Sequence, residues 1–405
     1  MRPLTFALIG AAVILAAAAG WVVASGRLGG GSSGPGASST PGLTRPTPQT
    51  PATGPAPTVT ATPHPSIGEL ALLYSQFGES EDVLLLAPVS DLQEARTVAT
   101  VPHSPFWGIS ASLSPDGQWV AYAVLPSTLP NPEEVAGAAA EVWAVPLAGG
   151  EPQLLAAGAD VRLAPIWSPD SRALVFQTFD PRRNGPTLFR VTLGDKTVAP
   201  LVSIEGAQSV SPLAFAPAGD DFYVAQWVQG GTELLAVDTA SGSTRTVATI
   251  AGVTRDWRLS PDGQRAAFIR QAAEGGWELW IVNLADGAMS RLEAEGLPSD
   301  RELFNPTWHP QQPLIAYGTA PAEDGTGVIS VLLLSGSAQR HVGPEQGFDI
   351  PLAWSPQGDY LVVQEFPEYP VRHRGRLRLI GADGQRLPVA EGMEVTFIGW
   401  SADDE

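Results

Sequence analysis

A short turn sequence recurs along this chain and limits its fold more than any other feature. Ser114-Pro115-Asp116-Gly117, Ser168-Pro169-Asp170-Ser171, Ser260-Pro261-Asp262-Gly263 and Ser355-Pro356-Gln357-Gly358 each follow a short apolar run. Ala216-Pro217-Ala218-Gly219, His309-Pro310-Gln311-Gln312 and Ser401-Ala402-Asp403 are weaker copies. From first residue to first residue the spacings are 54, 48, 44, 49, 46 and 46. Proline pre-sets φ at the second turn position, Asp or Ser bonds nearby backbone, and Gly accepts positive φ, so each copy reads as a hairpin turn. A β-type run follows every turn but the last, for example Trp119 to Val124, Ala173 to Thr178 and Tyr360 to Gln364. Further short runs come after it, as in Glu278 to Leu284 and Ser290 to Leu292. Four short strands in about 48 residues make one blade of a β-propeller.

The two ends complete each other. Residues 69–100 supply three strand-like runs with no turn motif before them, and Val395 to Ser401 is a first strand and motif with no blade after it. Joining them closes the ring and removes exposed sheet edges. The expected fold is all-β, a seven-bladed propeller over residues 67–405 in which N- and C-terminal strands share one blade.

The recurrent Ser-Pro-Asp-Gly-type turn, preceded by Trp in the copies at 167 and 354 and followed by an apolar strand, resembles the TolB-type (WD-repeat-like) β-propeller family. The likeness spans roughly residues 69–405, and its best copies are Trp167 to Asp170 and Trp354 to Gly358. The Gly-His…Trp-Asp signature of true WD40 repeats is missing. The TolB protein itself carries a separate N-terminal α/β domain, whereas an apolar segment and a linker stand in that place here. The resemblance implies a periplasmic interaction platform or the gating domain of a peptidase. Such peptidases carry an α/β-hydrolase domain after the propeller, and no such domain is expected here.

Leu4 to Ala24 is a run of 21 residues without charge, flanked by Arg2 and Arg27. At about 1.5 Å per residue it is long enough to cross about 30 Å of hydrocarbon, so residues 1–24 are expected to form a single transmembrane signal anchor. A cleaved signal peptide ending at Val22-Val23-Ala24 is the competing reading. Residues 25–66 are almost wholly Gly, Ser, Thr, Pro and Ala, too little apolar surface for a core, and read as a disordered linker. The propeller is therefore expected outside the cytoplasm, periplasmic or at the cell surface, tethered to the membrane through residues 4–24.

Lys+Arg 23 against Asp+Glu 42 gives a net charge of −19, which argues against a nucleic-acid partner. The absence of cysteine removes disulfides, thiol nucleophiles and thiolate metal sites. His64 lies in the linker, while His103, His309, His341 and His373 fall in four separate repeats without metal-ligand spacing and read as surface or turn residues. No G-x-S-x-G elbow and no sialidase-type Asp box occurs. Neither a metal nor a cofactor is expected, and no catalytic residue is assigned. The motif aspartates and tryptophans read as turn and inter-sheet packing residues.

The loops that enter each innermost strand, opposite the motif turns, are where a propeller meets a ligand. Aromatic and charged residues fall there, including His103, Phe106, Trp107, Arg162, Arg255, Asp256, Arg301, Glu302 and Asp349. A second loop, Phe366 to Gly375, carries Arg372-His373-Arg374, a cationic cluster on an acidic domain. Trp107, Arg162, Arg255, Asp256, Arg301, Glu302, Asp349, Arg372, His373 and Arg374 are the candidate ligand-binding residues. The expectation is a non-catalytic binding or scaffolding module for a protein, peptide or cell-envelope glycan. Two alternatives remain open: a carbohydrate- or peptide-processing enzyme using channel-mouth carboxylates, and a sensor ectodomain with a membrane partner.

Overall fold

The computed structural model describes residues 70–129, 138–178, 185–273, 275–294, 305–318, 329–333, 339–342, 344, 347–367, 375–381, 384–390, 392 and 394–402, without the side chains of 329–333 and 339–342. The strands are β1 (Leu70–Phe77), β2 (Glu81–Pro88), β3 (Arg96–Pro102), β4 (Ile109–Leu113), β5 (Trp119–Val124), β6 (Ala140–Pro146) and β7 (Gln153–Ala159). There follow β8 (Ile166–Trp167), β9 (Ala173–Gln177), β10 (Thr187–Thr192), β11 (Val198–Ser203), β12 (Ser209–Phe215), β13 (Asp221–Val228), β14 (Gly231–Asp238) and β15 (Thr244–Ala251). The remainder are β16 (Thr254–Leu259), β17 (Arg265–Gln271), β18 (Trp277–Asn283), β19 (Met289–Leu292), β20 (Thr307–Trp308), β21 (Leu314–Gly318), β22 (Ile329–Leu333) and β23 (Gln339–Val342). The last five are β24 (Phe348–Trp354), β25 (Tyr360–Phe366), β26 (Arg376–Gly381), β27 (Arg386–Pro388) and β28 (Val395–Ala402).

They form seven four-stranded antiparallel sheets, six of which are built from consecutive strands, blade 1 (β4–β7) through blade 6 (β24–β27). The remaining sheet has the order β28-β1-β2-β3, so its inner strand comes from near the C-terminus and its other three from near residue 70. The pairing runs from Leu70↔Ala402 to Gln76↔Val395. First strands of successive blades touch one another around a central axis, as β28 with β4, β4 with β8, β12 with β16 and β20 with β24. The fold class is corrected at its N-terminal end. Every described element is a strand, and no helix of the described residues is long and apolar enough to cross a membrane. Residues 1–24 and 25–66, in which an anchor and a linker were expected, lie outside the described residues.

β1 shows why these residues choose this fold. Successive side chains of a strand point to opposite faces, and a continuous apolar run therefore suits a strand buried on both. Leu70, Leu72 and Tyr74 pack on Val362, Leu377 and Leu379 of blade 6, while Ala71 and Leu73 pack with Val120, Tyr122 and Val145 of blade 1. Burial of each leucine contributes about 1.5–3 kcal/mol. The composite blade thus seals both of its neighbours.

The turn motif interlocks the blades at the opposite end. In blade 1 the Ser114 hydroxyl donates to Asp116 at 2.5 Å and accepts from the Trp119 amide at 2.9 Å, while Asp116 accepts from the Gln118 amide at 3.0 Å. The same bonds recur at Ser168–Asp170 and Ser260–Asp262. Each turn also meets its neighbour. The Asp116 amide donates to Ser171 Oγ at 3.0 Å, and a Cβ on Gly263 would lie 2.3 Å from the Pro217 ring. Indole N–H groups of Trp167, Trp308 and Trp354 donate to the carbonyls of Ser112, Arg258 and Thr307 in the preceding blade.

His103 departs from the surface or turn reading of the histidines, since it is buried, whereas His309 is a turn residue that is also buried. In the degenerate motif His309 stands at the serine position and bonds the turn amides directly: its Nδ1 accepts the amides of Gln311 and Gln312 at 3.1 and 2.9 Å. Its ring also fills the space beside Gly358 of the next blade. His103 sits at the other end, with Nε2 3.1 Å from Asp82 Oδ1 and its ring stacked on Phe77.

Two stability predictions follow from this interlock. Gly358 has φ +82, and a Cβ there would sit 2.2 Å from the His309 ring, so Gly358→Ala should lower stability in urea by about 1–3 kcal/mol. Burial lowers the His309 pKa from 6.5, against the opposing Gly358 backbone and Asp359. The unfolded chain therefore takes up that proton first, and stability present above about pH 6.5 is lost as pH falls below it. His309→Ser, which restores the common turn residue, should lose less stability than wild type between about pH 7.5 and pH 5. Equal losses would remove His309 as the cause.

Candidate functional site

Each inner strand begins at the entry rim and ends at a motif turn, so the seven inner strands line a tunnel between two faces. Four of them are irregular at the same height. Register shifts fall between Pro212 and Ala214 in β12, Arg255 and Arg258 in β16, and Pro351 and Ala353 in β24, and the pairing of β28 skips Ile398. Measured from the turn, Leu213, Trp257, Leu352 and Ile398 occupy one level, three residues before its first position. Such bulges bend a strand and re-aim its side chains.

One level nearer the turn stand Ser112, Ile166, Ala214, Arg258, Thr307, Ala353 and Gly399. Several of these reach to the next inner strand: Ser112 Oγ donates to the Pro165 carbonyl at 2.5 Å, and Thr307 Oγ1 to the Leu352 carbonyl at 3.4 Å. Arg258 is the charged member of the level. Its Nη1 donates to the Trp257 carbonyl at 2.8 Å and its Nη2 to Asn305 Oδ1, while Asn305 Nδ2 donates to the Pro351 carbonyl. Arg258 is exposed by area, yet the surrounding protein lowers its guanidinium pKa by desolvation, with Asp256 opposing.

At the rim, β4 is entered through Phe106, Trp107 and Gly108. Phe106 holds φ +68, rare for a bulky residue, and leaves its ring 46% exposed. Trp107 is half-buried against the apolar cluster between blades 1 and 2. Asp256 and Asn305 are also at positive φ, 56° and 43°. Three of the five non-glycine residues at positive φ among the described residues therefore stand on inner strands or their entries. Backbone strain of this kind concentrates where a site is being shaped.

The expected binding residues separate into three groups. Arg162 is exposed, and its Nε and Nη2 grip buried Asp160 at 2.8 and 2.5 Å. Arg255 lies over the Trp277 ring, 4.3 Å from its centroid, and 4.0 Å from the adjacent Asp256. These two are the expected residues that the structure brings together. Asp349 is fully buried and cannot touch a ligand; Arg386 holds both its oxygens, at 2.7 and 2.9 Å. Arg301, Glu302, Arg372, His373 and Arg374 lie outside the described residues.

Asp349 belongs to a network that crosses blade 6. Arg386 also donates to Glu365 at 2.9 Å, and Arg378 donates to Glu365 at 3.1 Å. Burial raises the Asp349 pKa, with Arg386 pulling against it. Burial also acts to raise Glu365, but hydrogen bonds from Arg386 and Arg378 together carry it below the usual carboxylate value. No group of three or more His, Cys, Asp or Glu among the described residues is placed to hold a metal ion.

Arg258, Asn305, Glu365, Arg378 and Arg386 were not among the expected site residues. Arg258 had a readable signal. Aligning the repeats on their turns sets it beside Ser, Ile, Ala, Thr, Ala and Gly at one position.

No family profile matches the chain, and no curated protein matches it either. Among solved structures it is similar to a prolyl endopeptidase, with TM-score 0.54 and 15% identity over 83% of this chain and 50% of that one. It is similar to the β-propeller domain of the Trilobed protease from Pyrococcus furiosus, with TM-score 0.50 and 13% identity over 70% of this chain and 85% of that one. TolB from Acinetobacter baumannii is another neighbour, with TM-score 0.49 and 18% identity over 82% of each chain. At such identities the likeness shows an all-β propeller and says nothing of activity.

The two arginine pairs should respond differently to mutation. Arg386→Leu strands a buried carboxylate and should cost about 3–5 kcal/mol in chemical denaturation. Arg162→Ala breaks a pair whose arginine is solvent-exposed and should cost under about 1 kcal/mol. Similar costs for the two would show that Asp349 relaxes or ionises differently from its described surroundings.

Proposed function

We propose that this propeller is a non-catalytic binding module of TolB type whose entry rim grips an extended segment of a protein partner. The observation that carries the reading is Phe106, a large aromatic side chain held exposed in a strained backbone conformation at the rim. Leaving such a ring in water is unfavourable unless something covers it in the working state. Buried aromatic anchors supply much of the energy of protein interfaces. Other large exposed apolar side chains among the described residues, such as Leu154, Val198 and Met289, lie on outer strands of three different blades and form no common surface. The recurrent Ser-Pro-Asp-Gly-type turn, preceded by Trp at 167 and 354, supports the TolB-type assignment.

The enzyme reading finds less support. It calls for two carboxylates within reach of each other and of a substrate, one with a raised pKa. Asp349 has the raised pKa and Glu365 is its cross-strand neighbour, but Asp349 has no exposed surface and Arg386 clamps both groups. Placement of the propeller outside the cytoplasm is part of the proposal and is supported by the sequence of residues 4–66 alone.

Selection of a random peptide library on the full chain tests this reading. Selected peptides should bind wild type and lose about tenfold or more in affinity to Phe106→Ala, while Leu154→Ala on an outer strand leaves them unchanged. Equal affinity for both variants would overturn the rim as the binding face. Turnover in a hydrolase and lyase screen that disappears with rim substitutions would overturn the non-catalytic reading.

A further inference from the structure

Inside the tunnel, at a different level from the rim, Arg258 presents chemistry that the binding reading does not use. A guanidinium carries five N–H donors in a planar fork matched to a carboxylate or phosphate. Among the described residues Arg258 spends two of its donor nitrogens on the neutral oxygens of Trp257 and Asn305, and forms no ion pair. Asp256, the carboxylate whose charge acts on it, sits beside Arg255 at 4.0 Å and is therefore partly neutralised already.

The site is also shaped. The other six inner strands carry Ser112, Ile166, Ala214, Thr307, Ala353 and Gly399 at this level, none of them charged. Asn305, at positive φ, ties the guanidinium to β24 through the Pro351 carbonyl, so the fork is fixed and not free to sweep the tunnel. Enclosure strengthens a charge-assisted hydrogen bond relative to open water.

We infer that Arg258 forms an oxyanion-binding site in the central tunnel, taking one carboxylate or phosphate group of a small solute or of a partner's side chain. The inference is independent of the rim. A peptide gripped at Phe106 need not reach Arg258, and a small anion bound at Arg258 need not touch Phe106.

Calorimetric titration of the full chain at low ionic strength, with inorganic phosphate in one arm and succinate in the other, distinguishes the two sources of the oxyanion. One equivalent should bind in at least one arm. Arg258→Gln should weaken that binding about tenfold or more, Arg258→Lys by less, and Arg162→Ala and Phe106→Ala not at all. Because Arg258→Gln also touches the inner-strand contacts, a crystal of unaltered protein soaked in selenate supplies a second readout. An anomalous peak within hydrogen-bond distance of Arg258 supports the site. Heats that are identical for wild type and Arg258→Gln, no binding in either arm, or selenate found only outside the tunnel would each overturn it.

Discussion

The pairing of β28 with β1 sets the conditions for everything else in this fold. A sheet that ends in an unpaired strand leaves a row of amide and carbonyl groups without partners. Here the pairing from Leu70↔Ala402 to Gln76↔Val395 removes that edge and makes seven sheets mutually supporting. The leucines of β1 then fill the junctions on both sides of the composite blade. Without that seal, neither the tunnel nor the common height of its bulges would exist.

Two kinds of polar construction share the molecule and do different jobs. At the motif end, short local bonds within each turn are repeated and then interlocked, as Asp116 with Ser171 and Gly358 with His309. At the entry end, buried carboxylates are paired with basic side chains, Asp82 with His103 across 21 residues, Asp349 with Arg386 across 37, and Asp160 with Arg162 across only two. The first kind fixes blade spacing. The second removes those carboxylates from contact with solvent.

What could be read from the chain follows from how local each feature is. The turns were legible because Ser, Pro, Asp and Gly act within five residues of one another, and the strands because β1 and its counterparts are short apolar runs. The burial of the turn residue His309 was not legible because it depends on Gly358, which a neighbouring blade supplies. The Asp349–Arg386 pair joins residues 37 apart through the fold, with no spacing rule to mark it. Phe106 was recognisable as an entry residue but not as strained, since backbone conformation at one non-glycine position leaves no compositional trace. Arg258 became visible only by comparing equivalent positions across repeats.

The composite blade has a consequence for biosynthesis. β1 leaves the ribosome on the order of three hundred residues before its partner β28, and the pairing is therefore among the least local a chain of this size can make. Throughout that interval nascent β1 carries an adhesive flank, able to hydrogen-bond to a strand of another nascent copy as readily as to its own. Molecular crowding on a polysome, or a slow codon stretch ahead of residue 395, would lengthen that exposure and favour intermolecular misassembly over closure.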